Sequence, residues 1–180
     1  MNVSIKKAQC FEYNRIKSLF LSAFPLAERP PFSVLRKSYE RNKGDLWSIY
    51  ADNRFAGFCH TLVYDKCVYI FYLAIKDEFR GMGIGSNTLQ QLISNYSGYK
   101  IFLALEKLDE NAENFEERKK RHSFYEKNGL HDLPHYIKEA TETYAIMGND
   151  GEVTAAEYNR LIENSFGKFY KRLFSMQIVD

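Results

Sequence analysis

The sequence predicts an α/β (α+β) fold in which one mixed, largely antiparallel sheet is flanked by helices. Residues 67–75 are apolar almost throughout and consist of strand-forming types, which is typical of a central strand buried on both faces. An amphipathic helix with apolar positions at i, i+3, i+4 and i+7 follows from Leu89, and residues 101–108 form the next apolar run. A strand–helix–strand unit of this length favours a parallel pair joined by a right-handed crossover.

The segments before this unit supply further strands and two helices. Short turns at residues 52–54 and 64–66 separate the apolar runs, which is typical of hairpins. Pro25 stops the first helix, because proline cannot continue a helix. The predicted strands are residues 3–7, 46–50 and 55–64, and the predicted helices are residues 10–24 and 32–41.

A charged helix is expected after residue 108, beginning at Asn111 or Asn114 and ending at residue 128. Asn114 and Glu117 have the spacing of a capping box, and Gly129 is expected to close the helix. The charges are most simply explained as a solvated helix face. The closing strands are predicted at residues 135–138 and 143–147.

Residues 151–180 are predicted to form a C-terminal amphipathic helix that follows a domain spanning residues 1–150. Thr154 and Glu157 have the spacing of a second capping box, and Gly167 is expected to weaken or kink the helix. The helix is expected to pack either on the domain or at the interface of a homodimer. Its apolar stripe consists of Tyr158, Leu161, Ile162, Phe169, Tyr170 and Leu173.

Composition argues against several classes of partner and ligand. The 180 residues include 25 basic and 23 acidic side chains, so the net charge of +2 gives no case for nucleic acid or a membrane surface as partner. The three cysteines fit no zinc spacing and the four histidines are scattered, so no metal site is expected. Three observations predict a cytoplasmic protein: the number of cysteines is odd, no apolar run reaches about 18 residues, and no signal-peptide pattern follows Met1.

Gly81, Gly83 and Gly85 lie at alternate positions between the buried strand and the amphipathic helix. Glycine allows a sharp turn and leaves no Cβ between the backbone N–H groups and a ligand. The following helix points its unpaired N–H groups and the positive end of its dipole at the same place. Such a loop is typical of a phosphate or pyrophosphate site.

Three nucleotide-binding patterns do not fit this loop. The dinucleotide fingerprint requires a third glycine at position 86, which is Ser86, and a Walker A loop requires a lysine that Ser86-Asn87-Thr88 lacks. The glycine loop of kinases fails on the same spacing. What remains is Arg80-Gly81-Met82-Gly83-Ile84-Gly85 directly after a strand.

This arrangement resembles the pyrophosphate loop of the GNAT superfamily of acyl-CoA N-acyltransferases. Leu73-Ala74-Ile75 followed by the glycine loop matches the strand-plus-loop signature of that family. The segment Phe124-Tyr125-Glu126-Lys127-Asn128-Gly129-Leu130 is similar to the end of its fourth helix, and the order of elements agrees over residues 1–148. Arg118 and Arg121 depart from the family, in which many members carry Asn and Ala at these positions.

The resemblance implies a GNAT-like domain that binds acetyl-CoA between two splayed parallel strands, here residues 70–75 and 101–108. Backbone groups of the first strand would pair with the pantetheine amides, and N–H groups of the loop would bind the pyrophosphate. A preorganised N–H near Ala74 or Ile75 would stabilise the oxyanion, and Arg118 could reach a phosphate. The cofactor-binding residues implied in this way are Leu73, Ala74, Ile75, Arg80, Gly81, Met82, Gly83, Ile84, Gly85, Ser86 and Arg118.

The resemblance also implies direct transfer of the acetyl group to a primary amine in a ternary complex. The attacking amine must be neutral, so a base is useful, and Glu106 is the only carboxylate of its predicted strand. Asp109 and Glu110 follow on the loop as alternatives. Tyr125 is the general acid by analogy with the family. The structural alternatives are a strand-end charge at Glu106 and a packed aromatic ring at Tyr125.

The acceptor is left open between a small amine, an antibiotic and a peptide terminus. Residues 24–32 are expected to wall the acceptor side, with Glu28 either attracting a cationic amine or facing solvent. Two other functions stay open: a CoA-binding sensor or interaction module that has lost transfer, and a nucleic-acid-binding module that uses the basic residues. The latter predicts salt-dependent binding to polyanions, against which the balanced net charge argues.

Overall fold

The computed structural model describes residues 1–26, 29–139, 142–149, 151–168, 171 and 177–179. Eight strands and five α-helices lie wholly within these residues. The strands are β1 (Val3–Lys7), β2 (Gly44–Ala51), β3 (Arg54–Tyr64), β4 (Cys67–Ile75), β5 (Lys100–Glu106), β6 (His131–Glu139), β7 (Glu142–Gly148) and β8 (Gln177–Val179). The helices are α1 (Tyr13–Ala23), α2 (Phe32–Glu40), α3 (Ile84–Asn95), α4 (Phe115–Lys127) and α5 (Ala155–Phe166), and short 3₁₀ turns precede α1 (Cys10–Glu12) and α3 (Asp77–Phe79).

The strands form one sheet in the order β1-β2-β3-β4-β5-β7-β6-β8, in which β4 and β5 are parallel and the other neighbours are antiparallel. The mixed, largely antiparallel sheet predicted from the sequence is therefore confirmed. The Lys100 N–H donates to the Lys66 carbonyl oxygen at 2.8 Å, where β4 and β5 begin. The chain divides into two compact units, and the division falls inside β3 and β4: Met1–Leu62 with Ile70–Ser97, and Val63–Tyr69 with Gly98–Asp180.

An aromatic cluster forms the core of the first unit. The Phe20 ring of α1 is fully buried and lies 5.0–6.3 Å, between ring centroids, from four other rings. Tilted and edge-on arrangements of this kind favour attraction between aromatic rings. The cluster packs α1 and α2 against the sheet and holds the second half of β4 in place. The four rings belong to Phe24, Phe32, Phe58 and Tyr72.

The second unit is held together by stacked rings and a capped helix. The Tyr69 ring of β4 stacks on Phe102 of β5 with centroids 4.8 Å apart, and Tyr158 of α5 lies 6.0 Å from Tyr69. The predicted capping box at the start of α5 is confirmed, because the Thr154 hydroxyl accepts the Glu157 N–H at 3.2 Å and the Glu157 carboxylate accepts the Thr154 N–H at 2.8 Å. These contacts seat the buried face of α5.

The C-terminal segment differs from the sequence prediction. α5 ends at Phe166, Gly167 adopts φ +87°, and helical backbone resumes at Lys168, so Gly167 interrupts the predicted helix. The helix predicted over residues 151–180 is wrong at its far end, where Gln177–Val179 form β8 and pair with β6. Three residues are too few to show the alternation that predicts a strand. Of the predicted apolar stripe, Phe169, Tyr170 and Leu173 lie outside the described residues.

Two smaller predictions in the second unit are corrected. β5 ends at Glu106, two residues before the predicted end, so Glu106 is the last residue of its strand. Asn114 does precede α4, but its side chain makes no capping bond. The amide instead contacts Glu106 and Arg118, which removes it from the capping box. The strand predicted at residues 67–75 agrees with β4 at both ends.

His60 is fully buried in the first unit between β3 and α2. Its Nε2 lies 2.9 Å from Ser38 Oγ, and the Ser38 hydroxyl donates to the Leu35 carbonyl oxygen at 2.9 Å. Because that hydroxyl has only one proton, the proton between the two side chains comes from His60 Nε2. Burial lowers the pKa of His60 from 6.5 to about 3, although Asp45 opposes part of this effect.

We expect His60 to make the protein less stable in acid. Its folded-state pKa is depressed, so its contribution is fully present above about pH 6.5 and declines as the pH falls towards 3. Between pH 7 and pH 5 the free energy of unfolding should drop by about 2 kcal/mol from this residue alone. Urea unfolding of the wild type and of His60→Gln at both pH values measures how steeply the free energy of unfolding of each protein changes with pH.

The exposed residue His131 supplies the matched control, since His131→Gln should leave the pH dependence as in the wild type. The comparison uses the slope against pH and not the absolute stability, because His60→Gln also changes packing. Equal slopes for the wild type and His60→Gln would contradict the prediction.

Candidate cofactor site

The predicted cofactor residues Leu73, Ala74 and Ile75 are the last three residues of β4. Ala74 is buried, and Gly57 lies directly against its backbone: a Cβ at Gly57 would stand 2.3 Å from the Ala74 carbonyl oxygen. The Lys76 N–H donates to the Ala56 carbonyl oxygen at 2.8 Å. One edge of the β4 backbone is therefore fixed by β3 up to the start of the following turn.

The 3₁₀ turn Asp77–Phe79 carries the chain from β4 to the glycine loop. Phe79 is 5% exposed and anchors the turn, with the Arg54 guanidinium 4.9 Å from its ring centroid. Arg80 has an extended backbone and an exposed side chain, which pairs with Asp77 at 3.0 Å. An exposed pair of this kind contributes little to stability, so Arg80 is able to exchange Asp77 for another anion.

Gly81 and Gly83 have left-handed backbones, with φ of +74° and +76°. Gly83 is the N-cap residue that precedes α3, and Ile84, 1% exposed, anchors the first turn in the core. Gly85 is different, because it lies inside α3 and does not have a positive φ. Two of the three glycines are thus required by backbone conformation, whereas Gly85 contributes only the absence of a side chain.

The start of α3 has the properties of an anion site. The Asn87 N–H donates to the Gly83 carbonyl oxygen at 3.0 Å, whereas the preceding helical N–H groups of Ile84 and Gly85 have no acceptor within the helix. Glycine at the first position supplies no capping side chain. A Cβ at Gly81 or Gly83 would meet no described atom within 4 Å, so the loop is open. N–H groups without a helical acceptor and the positive end of the helix dipole together favour a phosphate.

The two remaining cofactor residues of the loop differ in exposure. Met82 is 55% exposed, whereas Ser86 is half-buried in the first turn of α3. An exposed methionine is unfavourable at this position, because its apolar side chain stays in contact with water. Its thioether is flexible enough to cover a ligand bound at the loop.

Glu106 ends β5 in the second unit and is bound by three side chains from α4 and its start. Its Oε1 accepts from Asn114 Nδ2 at 2.9 Å and lies 3.5 Å from Arg118 Nε, and its Oε2 accepts from Arg121 Nη2. The Glu106 and Arg118 side chains are each 22% exposed, against 50% for Arg121. The predicted base is therefore a carboxylate whose two oxygens both have donors.

Arg118, predicted to reach a phosphate, is also held within the second unit. Its Nε donates to Asn114 Oδ1 at 2.7 Å and its Nη1 donates to the Lys107 carbonyl oxygen at 2.9 Å. Asn114 links Arg118 to Glu106, a role that the sequence prediction missed because the capping-box spacing explained this residue well. Asp109 and Glu110 are exposed on the loop after β5, and the Asp109 carboxylate accepts the Asn111 N–H at 2.9 Å.

Tyr125 lies in the last turn of α4, at a helix end of Schellman type. The Tyr125 carbonyl oxygen accepts the Leu130 N–H at 3.1 Å, and the Glu126 carbonyl oxygen accepts the Gly129 N–H at 3.0 Å. Gly129 has φ +86°, and Leu130 is fully buried. The aromatic–glycine–aliphatic segment is thus a helix terminator, and it fixes the half-buried Tyr125 ring one turn before the end.

The described residues contain no helix with both the length and the apolar composition needed to span a membrane. No group of three or more histidine, cysteine or acidic side chains in the same residues could hold a metal ion. Glu28, predicted to face an amine acceptor, lies outside the described residues.

The fold and the loop define an α/β domain with a helix start whose geometry favours an anion. The sequence model of the acetyltransferase (GNAT) family matches residues 13–130. The chain therefore belongs to the acetyltransferase (GNAT) family, and the resemblance found in the sequence is confirmed. A search of curated proteins finds no match.

Solved structures of GNAT proteins have the same fold. An acetyltransferase of the GNAT family from Bacteroides thetaiotaomicron superposes with a TM-score of 0.72 at 20% identity, covering 91% of this chain and 98% of the other. Naa50 of Arabidopsis thaliana in complex with the bisubstrate analogue CoA-Ac-MVNAL gives 0.61 at 20% identity, covering 83% and 99%. An acetyltransferase of Bacillus subtilis in complex with CoA gives 0.62 at 16% identity, covering 83% and 99%.

Replacement of Gly83 should test the left-handed start of α3. Gly83→Ala should lower the free energy of unfolding by about 1 kcal/mol, because a Cβ disfavours φ +76° even where it meets no neighbour. Gly83→Asn should lose less, since asparagine adopts this conformation more readily. Thermal unfolding of the three proteins measures the order, and a stability of Gly83→Ala equal to that of the wild type would contradict it.

Proposed function

We propose that the protein is an N-acetyltransferase that transfers the acetyl group of acetyl-CoA to a primary amine by direct attack in a ternary complex. The observation that carries the proposal is the open loop at the start of α3, where N–H groups without helical acceptors meet two left-handed glycines. Membership of the GNAT family supports acyl transfer. Solved relatives that contain CoA or a CoA analogue support acetyl-CoA as the co-substrate.

The first unit would hold the cofactor. The N–H groups of residues 81–85 would bind the pyrophosphate, and Arg80 would exchange its exposed pair with Asp77 for a phosphate oxygen. Backbone groups of residues 73–75 would pair with the pantetheine amides. A preorganised N–H near Ala74 or Ile75 would stabilise the oxyanion by about 3 kcal/mol.

Transfer needs one proton removed and one proton supplied. The amine nitrogen attacks the thioester carbonyl carbon and gives a proton to a base, and the C–S bond then breaks as the thiolate takes a proton from an acid. We propose Glu106 as the base and Tyr125 as the acid. Because each Glu106 oxygen already accepts a bond, from Asn114 or from Arg121, the proton would be accepted on a remaining lone pair of the carboxylate.

The acceptor is proposed to be a small-molecule amine or a peptide. The bisubstrate analogue in the Arabidopsis Naa50 complex is CoA-Ac-MVNAL, in which MVNAL reads as a peptide sequence in one-letter code. This supports a peptide amine as one option. A cytoplasmic location is proposed on the three free thiols, all within the described residues. Nucleic acid and membranes are not proposed as partners, and a homodimer is left to a measurement of oligomeric state.

A catalytically silent CoA-binding module is the second candidate function. The observation that favours it is the set of donors around Glu106, because the side chains of Asn114, Arg118 and Arg121 already occupy the surroundings of the carboxylate that an amine would have to reach. Such a module would bind CoA without turnover on any amine. The two functions share the loop and differ only in the chemistry of the second unit.

Substitution at Gly85 tests cofactor binding. Gly85→Val should raise the Kd for CoA by at least about tenfold, because the new side chain covers the N–H groups while the helical backbone is preserved. Gln90→Val is the matched control, since it places the same residue on the exposed face of α3 and should change the Kd less than about twofold. Calorimetry with CoA measures both. Absence of CoA binding by the wild type at millimolar concentration would sink both candidate functions.

The pH–rate profile with acetyl-CoA and an amine panel separates the two candidates. Glu106→Gln should remove the acidic limb, and Tyr125→Phe should lower kcat by about tenfold or more with an unchanged Kd for CoA. Tyr64→Phe, at an exposed tyrosine of the same unit, is the control. Thiol release measures the rates. A silent module would show CoA binding with no turnover in any of these proteins.

A further inference from the structure

A cleft of about 650 Å³ lies in the first unit, outside the residues assigned to the cofactor. Its walls are α1, the start of β3 and the residues that follow β4. Ser18 and Ser22, one turn apart on α1 and both exposed, leave the space that larger side chains would fill. The volume is in the range of pockets that hold small organic ligands.

Arg15 is a fixed cation in the wall of this cleft. Its Nη2 donates to the Glu12 carboxylate at 2.7 Å and to the Tyr50 hydroxyl at 2.9 Å. Its guanidinium also lies 4.8 Å from the Phe55 ring centroid and 5.6 Å from that of Tyr50. These contacts hold the side chain in one conformation before any ligand arrives, so little of its entropy remains to be lost on binding.

Arg54 and Lys76, which also line the cleft, share one carboxylate. Arg54 Nη2 and Lys76 Nζ lie 3.4 Å and 3.3 Å from the same oxygen of Glu78. These three side chains are 71%, 38% and 53% exposed, so the pairs are long, hydrated and weak. Two cations thus share a single carboxylate, which balances only one of their two charges and which an incoming anion is able to displace.

The cleft therefore carries an excess of positive charge beside an apolar surface. Three cations line it against one carboxylate of its own, and Glu12, which balances Arg15, is 2% exposed and cannot face a ligand. Phe55 and Leu19 supply the apolar part of the lining. A ligand that satisfies both features has an oxyanion at one end and a ring or short chain at the other.

We propose that this cleft binds a small organic anion. Its carboxylate or phosphate group would lie between Arg54 and Lys76, in place of Glu78, and its apolar body would pack on Phe55 and Leu19. Glu78 is then an internal competitor for the two cations. The proposal does not rest on the acetyltransferase function, because every residue that it uses lies outside the glycine loop.

Titration of the full-length protein with phenyl phosphate and with benzoate tests the proposal, using backbone NMR shifts of residues 15–22, 54–55 and 76–78 to follow binding. Arg54→Gln and Lys76→Gln should each weaken binding about threefold to fivefold, and Glu78→Gln should tighten it by a similar factor. The phosphate and carboxylate probes decide which oxyanion is preferred. The opposite sign expected for Glu78→Gln cannot result from a general loss of folding.

Lys17→Gln is the matched control, because Lys17 is an exposed cation on α1 that does not line the cleft. It should leave the Kd for phenyl phosphate unchanged. Benzyl alcohol and benzylamine, which have the same ring without a negative charge, should bind more weakly than benzoate. The proposal is overturned if benzylamine binds as tightly as benzoate, if Arg54→Gln and Glu78→Gln leave the Kd unchanged, or if added CoA abolishes binding.

Discussion

The left-handed backbone at Gly83 is the constraint on which the candidate site depends. With φ at +76°, Gly83 precedes α3 at the capping position and has no side chain to cap the helix, so the first helical N–H groups lack a capping acceptor. Phe79 before the loop and Ile84 after it are both buried, and they fix the two ends of an otherwise exposed turn. The loop is therefore held in shape by its flanks, while its own residues stay available to a ligand.

The charges of the second unit show how a departure from a family pattern changes local chemistry. Arg118 and Arg121 both turn towards Glu106, and Asn114 joins the group through both atoms of its amide. A carboxylate at the end of a strand would otherwise face water. Here Glu106 links the start and the middle of α4 to β5. The same carboxylate therefore stabilises the structure and, in the proposed mechanism, accepts the proton.

The sequence predicted best where one physical signal dominated. The apolar run of β4 and the glycine loop were predictable because burial on both faces and a left-handed turn each leave few residue types to choose from. The sequence did not reveal β8, whose three residues pair with β6 through backbone bonds that any side chain permits. The contacts of Asn114 and Arg118 were also hidden, because they join positions whose distance is set by the fold rather than by spacing along the chain.

The 3₁₀ turn Asp77–Phe79 connects two features that attract anions in the first unit. Glu78 faces the cationic cleft, while Asp77 pairs with Arg80 at the entrance to the glycine loop. Consecutive acidic residues thus hold the cations of both places, and buried Phe79 fixes the turn between them. Each carboxylate holds its own cations, since Asp77 pairs with Arg80 whereas Glu78 pairs with Arg54 and Lys76. An anion that takes the place of Glu78 in the cleft therefore leaves the ion pair at the loop intact, and the two places attract anions through separate sets of charges.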